Sequence, residues 1–444
     1  VAEDVDGDIE ADKVVGDGLT IGGDVDGTIE ADKVVGDGLT IGGELGGDFE
    51  VDDVVAQNVT VDIGSLADEI DIDIYEMESG AKFRIKGDVP ANSEIWIRKL
   101  GENIDIDMGY GQSGDYDMDG TLVIVQPPGI PDTTEITIFG DLGGDLDMRN
   151  FLDGTVTVLG NVEPINYSKV GISLSSYLDD DGSITVGDAQ NASDLKGCIC
   201  VYGNTVAGGS IKVEGDISST GRISIGSWSD GSIDVDGDCA GSIDIGTCPG
   251  GGDIRGRIDI GGELSGDITA SAGTGYDGHL EDDIVVSGPL SGDIDLDGDV
   301  KSGASISVKR LAGRILIDGT GDGAIIIKRK TTSTSLIRMI TGLGANGTIE
   351  INQEKLTYNA NGDVWIGEPE GELVTVWFDG CIRIYKDYDT GSDGDLNGDI
   401  TVRGCHLTDN SLIIQIDGHI NGTIDIQDEG CEHQPGLDTD GPCP

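Results

Sequence analysis

Residues 4–23 read DVDGDIEADKVVGDGLTIGG and residues 24–43 read DVDGTIEADKVVGDGLTIGG, so two successive 20-residue copies differ only at Asp8 and Thr28. A looser third copy follows at 44–64, ELGGDFEVDDVVAQNVTVDIG. Tandem repetition at this period restricts the chain to a repeat architecture, in which a unit buries its apolar face only by stacking on the next. Within each copy apolar residues alternate with Asp, Glu and Thr, as in Ile29-Glu30-Ala31 and Leu39-Thr40-Ile41. Period-two alternation is the pattern of a half-buried strand, whose successive side chains point to opposite faces. The interspersed glycines are expected at corners that demand positive φ.

The predicted fold is all-β: a parallel β-solenoid (β-helix) of about 20 residues per coil. Between residues 210 and 330 most strand starts are about 10 residues apart, and longer steps begin at Ser242, Asp267 and Asp293, every second strand. Insertions protrude from one corner of a solenoid and so recur once per coil. The spacing favours two strands per coil; a three-sided coil of about 30 residues is the alternative. One continuous solenoid is expected: regular N-terminal coils over 1–100, less regular coils with loop insertions over 101–200, the main solenoid over 201–426, and a disulfide-stapled tail over 427–444. Gln126-Pro127-Pro128 reads as a loop, because consecutive prolines do not fit a central strand. Ser335–Ile340 lacks alternation and reads as a short helix covering a flank or an end.

Eighty-five acidic residues against 26 basic ones give a formal charge of −59. That excess argues against nucleic acid or an anionic membrane as partner, and no stretch is apolar enough for membrane insertion. It suits a soluble surface, a saline environment or cation binding. The eight cysteines, Cys198, Cys200, Cys239, Cys248, Cys381, Cys405, Cys431 and Cys443, are disulfide candidates and point to an oxidising compartment. Five N-x-S/T sequons and a start at Val1 without Met agree with a secreted chain. An extracellular or cell-surface location is therefore expected.

Asp115-Tyr-Asp117-Met-Asp119-Gly120 matches the front of a calcium loop, in which oxygens two residues apart converge on one ion. Gln126 stands where the loop's closing Glu would be, and every repeat carries a similar D-x-D-G corner, as at Asp24–Gly27. Asp179 and Asp181 form a weaker version, and Asp393–Asp399 another. Cys405, His406, His419, Cys431, His433 and Cys443 could supply zinc ligands, but in no standard spacing. Lys82, Arg84, Trp96 and Arg98 form a basic and aromatic segment that could bind an anionic glycan. As a structural device it would instead pair Asp71 and Asp73 with Arg84 and Lys86 across neighbouring strands. Carboxylate pairs are too common here to mark a catalytic site, and no catalytic residue is assigned.

The segments Gly231–Gly237, Gly241–Gly246 and Ser291–Asp299 carry a repeat grammar that resembles the Gly/Asp-rich β-solenoid surface proteins of bacteria. The resemblance implies an extracellular structural or adhesive role. The G-G-x-G-x-D motif of the calcium-binding β-roll is absent. The expectation is a structural protein, not an enzyme, that assembles a filament, sheath or surface layer by end-to-end stacking of its subunits. Regular coils that begin at residue 4 suggest an uncapped end, and basic residues gathered around 301–338 could set a head-to-tail polarity. An adhesin or glycan-binding solenoid is the second expectation, and a polysaccharide-processing enzyme the third.

Overall fold

Alternating sequence becomes alternating burial. In strand Lys82–Ile85, Phe83 and Ile85 are fully buried, while Lys82 and Arg84 are only partly covered. The same in–out pattern recurs in Asp105–Met108, Glu135–Ile138 and Ser210–Val213. The computed structural model describes residues 4–14, 18–110, 116–125, 129–131, 133–164, 171–247, 251–344, 346–351, 360–366, 377–378, 381–384, 396–404, 413–416 and 420–428. Among them the regular elements are strands, and the strands pair in parallel. The fold is a parallel β-solenoid. The chain divides into two compact units, Val1–Ser224 and Ile225–Pro444.

In the first unit each coil gives one strand to each of two sheets. Ile29–Val34 lies between Ile9–Ala11 and Phe49–Val55 in one sheet. Leu39–Leu45 lies between Leu19–Ile21 and Thr60–Leu66 in the other. The two remaining sides of the coil are single residues that point inward and bridge to the next coil. Val5, Val25 and Leu45 form one such column, and Val34, Val55, Met77 and Leu100 the other. A coil is 20 residues where Ile9 lies beside Ile29 and 23 where Lys82 lies beside Asp105. It is 30 where Asp105 lies beside Glu135, because an insertion leaves at a corner and the strand register resumes after it. The core is a thin stack of Ile, Val and Leu with Phe49 and Phe83 among its largest members. Each fully buried aliphatic side chain stabilises the stack by roughly 1.5–3 kcal/mol.

The second unit repeats the plan. Ser232–Val235, Ile258–Ile260, Ile284–Leu290, Ser305–Leu311 and Ala324–Ile327 follow one another in one sheet. Ser242–Ile245, Asp267–Ala270, Asp293–Leu296, Arg314–Ile317 and Leu336–Met339 do so in the other. Two long strands per coil is thus the arrangement, rather than three sides.

Two expectations are corrected. Ser335–Ile340 holds a strand, Leu336–Met339, and not a helix. Ile337 and Met339 are buried, and Arg338 faces outward; only the outward Leu336 hides the alternation. The glycines, in turn, answer to two different demands. Gly38 does take positive φ, at 98°. Gly266, Gly292 and Gly313 are not among the positive-φ residues. They stand in a column in which a Cβ on any one would collide with the carbonyl oxygen of the glycine on the preceding coil, starting from Gly241. Close approach of backbone to backbone selects glycine there, not backbone twist.

Candidate functional site

The corners hold a device that periodicity alone does not announce. At many single-residue corners the preceding side chain accepts the backbone N–H of its counterpart on the next coil. Asp4 accepts from Asp24 (3.2 Å), and Asp24 from Glu44 (2.8 Å). Further on, Asp88, Asp117, Asp141, Asn161 and Asp194 each accept from the next in the series, ending at Asp216, at 3.0, 3.0, 2.6, 2.9 and 3.0 Å. A chain that turns a corner leaves its amide outside the sheet ladder, and the carboxylate supplies the missing acceptor. In the second unit the column at the opposite corner runs Asp253, His279, Asp299, Thr320. There His279 Nδ1 accepts the Asp299 N–H at 2.8 Å, which places the imidazole proton on Nε2, 3.4 Å from Asp277.

The proposed calcium loop therefore meets the fold at a corner. Asp117 Oδ1 is the acceptor for Asp141 N–H, the exposed Asp119 lies past the inward Met118, and Asp115 lies outside the described residues. Asp179 Oδ1 accepts the Asp180 N–H. Asp181 instead joins Asp180 and Asp153 of the preceding coil, the three offering carboxylate oxygens within 4.8 Å of one another. Chemically, three such oxygens form part of a hard-cation shell. Asp393 and Asp395 of the Asp393–Asp399 motif lie outside the described residues, while Asp399 Oδ1 accepts the Thr423 N–H at 2.7 Å; Cys248, Cys405, Cys431, Cys443 and all three histidines of the zinc set also lie outside the described residues. Of the cysteines described, Cys198 and Cys200 form a disulfide, and Cys381 is disulfide-bonded. Cys239 is not paired: it is an inward corner residue beside Leu264, and burial pushes its thiol up to about 12.

Lys82, Arg84, Trp96 and Arg98 are each engaged with neighbouring coils. Lys82 pairs with Asp105, Arg84 with Asp107 (2.9 Å), and Lys86 with Asp62 (2.8 Å). Arg98 makes two bonds to Asp73. The expected pairing of Asp71 and Asp73 with Arg84 and Lys86 is corrected, because those strands belong to different sheets. Over this stretch consecutive strands alternate between sheets, so a strand's neighbours are the second strand before it and the second after it. Trp96 lies between the guanidinium groups of Arg98 and Arg149, at 5.8 and 4.6 Å from its ring centre, and donates to Glu94. Arg255 in the second unit lies likewise against the rings of Trp228 and Tyr276. A surface cleft of about 310 Å³ is lined by Gln57, Glu76, Glu78, Ser79 and Gly101. Its polar groups also serve the stack: Glu78 accepts the Gln57 N–H, Glu76 pairs with Lys99, and Ser79 accepts the Glu102 N–H.

Crowding of carboxylates sets the response to pH. Burial, and then Asp48 and Glu94, hold Asp71 above the usual carboxylate range. Burial outweighs Arg84 at Asp107, and burial with neighbouring Asp residues raises Asp117 and Asp295. A hydrogen bond with Asp52 raises Glu50. Asp299 is the reverse case: burial pushes it up, but Lys301 and the Thr320 N–H outweigh that and leave it lowered. A raised carboxyl adds stability below its unfolded-state value, and this is lost as pH rises through the folded-state value. Asp299 adds stability above its unfolded-state value, lost as pH falls through its folded-state value. Among the shifted carboxyls the raised ones are in the majority, so the melting temperature at about pH 4, near the ordinary carboxylate value, should exceed that at about pH 7.5 at fixed ionic strength. Circular-dichroism melts across that range check this; a flat or rising profile toward pH 7.5 would contradict it.

No protein-family model matches the chain, and neither does any curated protein or any solved structure.

Proposed function

We propose that the protein is an extracellular structural element whose solenoid subunits stack end to end into a filament, sheath or surface layer. The observation that carries this reading is the contact between the first two repeats. Coil 4–23 meets coil 24–43 through nearly identical sequences, in register from Ile9 beside Ile29 to Leu19 beside Leu39. The contact is clamped by Asp4 to the Asp24 N–H and by Asp8 to the Thr28 N–H. Such a contact is head-to-tail, and the same chemistry is available between coil faces of two copies. A heterologous contact of this kind does not close and propagates. The Cys198–Cys200 disulfide and the acidic surface fit an oxidising, saline exterior. Lys82, Arg84, Trp96 and Arg98 are engaged with other groups of the solenoid rather than converging on a ligand, which favours a structural over a glycan-binding role. Electron microscopy of the purified protein, with and without a divalent-cation chelator, tests the reading. Filaments of uniform width are expected; monodisperse particles at high concentration in both conditions would overturn it.

A further inference from the structure

The corner column that holds carboxylates elsewhere changes sign in the second unit. The residue before each inward corner residue is Asp238 before Cys239 and Glu263 before Leu264, with Asp238 accepting the Glu263 N–H at 2.6 Å. On the next coils the same position is Pro289, Arg310 and Lys330, before Leu290, Leu311 and Thr331. Lys309 and Lys328 add to it. Val308 lies beside Ile327, so the lysines that follow them stand side by side on consecutive coils. Among the described residues Lys309, Arg310 and Lys328 make no ion pair, and Arg310 Nε is buried without a hydrogen-bond partner. The like charges of Lys309 and Lys328 at adjacent coils repel, so that pair costs the fold stability.

The face beside these cations is also unlike the rest. Its outward column runs Asp234, Asp259, and then Val285, Ser307 and Ile326 before Glu350. Asp283, at the start of the neighbouring strand, accepts the Ser305 hydroxyl. Val285 and Ile326 are half-buried with the buried Ser307 between them, so this stretch of the face carries no carboxylate, and Lys309, Arg310 and Lys328 stand at its edge without an ion pair among the described residues.

We infer that this corner is a side-by-side docking surface for a second copy of the chain, its cations seated on a corner carboxylate column such as Asp88, Asp117 and Asp141. Charge complementarity is local: among the described residues Lys309, Arg310 and Lys328 are without ion pairs on a chain that carries −59 overall, so a carboxylate column of a second copy supplies the counter-charge they lack. Spacing matches as well. Both columns are set by the same rise between coils, about 4.8 Å, so each stacked cation meets a stacked carboxylate without adjustment. The contact is lateral; it adds to end-to-end stacking and does not depend on it.

Sedimentation velocity at low and high ionic strength tests the inference on the wild type, on Lys309→Glu/Lys328→Glu, and on Lys82→Glu/Lys99→Glu as a control of equal charge change away from both proposed contacts. Circular dichroism verifies that each variant is folded. Wild type and control should associate at low ionic strength and dissociate as salt screens the contact. The corner variant should associate about tenfold or more weakly. Equal association of corner variant and wild type would overturn the inference, as would a wild type that stays monomeric at low salt. Binding of an acidic polysaccharide at this corner without self-association would overturn it too. Under the microscope, single-width filaments in wild type and variant alike would remove the lateral contact and leave end-to-end stacking intact.

Discussion

Gly292→Ala should cost the second unit about 3 kcal/mol, at the upper end of what overpacking a filled interior costs. The added Cβ would collide with the carbonyl oxygen of Gly266, and the coil above places Gly313 just as close over Gly292 itself. Neither obstacle is a side chain that could rotate away. Relief requires the coils to separate, and separation stretches the parallel ladders from Asp267–Ala270 to Asp293–Leu296 and on to Arg314–Ile317. Gly303→Ala is the informative comparison. Gly303 has φ at 99° with open space around it, so its substitution meets only backbone strain, about 1–2 kcal/mol. Urea unfolding monitored by circular dichroism separates the two. Should Gly292→Ala lose no more stability than Gly303→Ala, close approach of the coils is not what selects glycine in that column.

This distinction also marks how far the sequence could be read. The coil was legible because every strand carries its burial in the I-x-I pair, and because insertions fall on every second strand. The partners of outward residues were harder. Arg84 meets Asp107 and Arg98 meets Asp73, yet both separations depend on how many residues each corner inserts. A pairing guess from neighbouring segments fails as soon as two sheets alternate along the chain. The 335–340 strand was hidden by one exposed leucine. Cys239 shows that an even cysteine count does not settle pairing, since this thiol takes an inward corner position that Leu264 fills on the next coil. The corner acceptors left a signal that was open to view: an Asp or Asn directly before a lone apolar residue, recurring on successive coils. Read as D-x-D-G, the same residues suggest calcium; read with the stacking, they cap amides.

Asp141 tests that second meaning. Its Oδ1 accepts the Asn161 N–H at 2.6 Å, and its own N–H donates to Asp117 Oδ1 at 3.0 Å. Asp141→Ala leaves the Asn161 amide at a half-buried corner without its acceptor, an expected loss of about 1–3 kcal/mol. Asp141→Asn keeps a carbonyl oxygen in place, as Asn161 itself does when it accepts the Asp194 N–H at 2.9 Å. It also removes one negative charge from a column that stacks Asp88, Asp117 and Asp141, each of which would otherwise repel its neighbours. The asparagine variant should therefore be as stable as the wild type or more so, and any gain should vanish as salt screens the column. Thermal melts of both variants at low and high ionic strength decide the matter. Equal losses for alanine and asparagine would mean that the charge, and not the acceptor, holds the corner. The expected split means the reverse: the fold asks each corner only for an oxygen, and the choice of carboxylate over amide belongs to the outer surface, where an acidic column is what a cationic partner would meet.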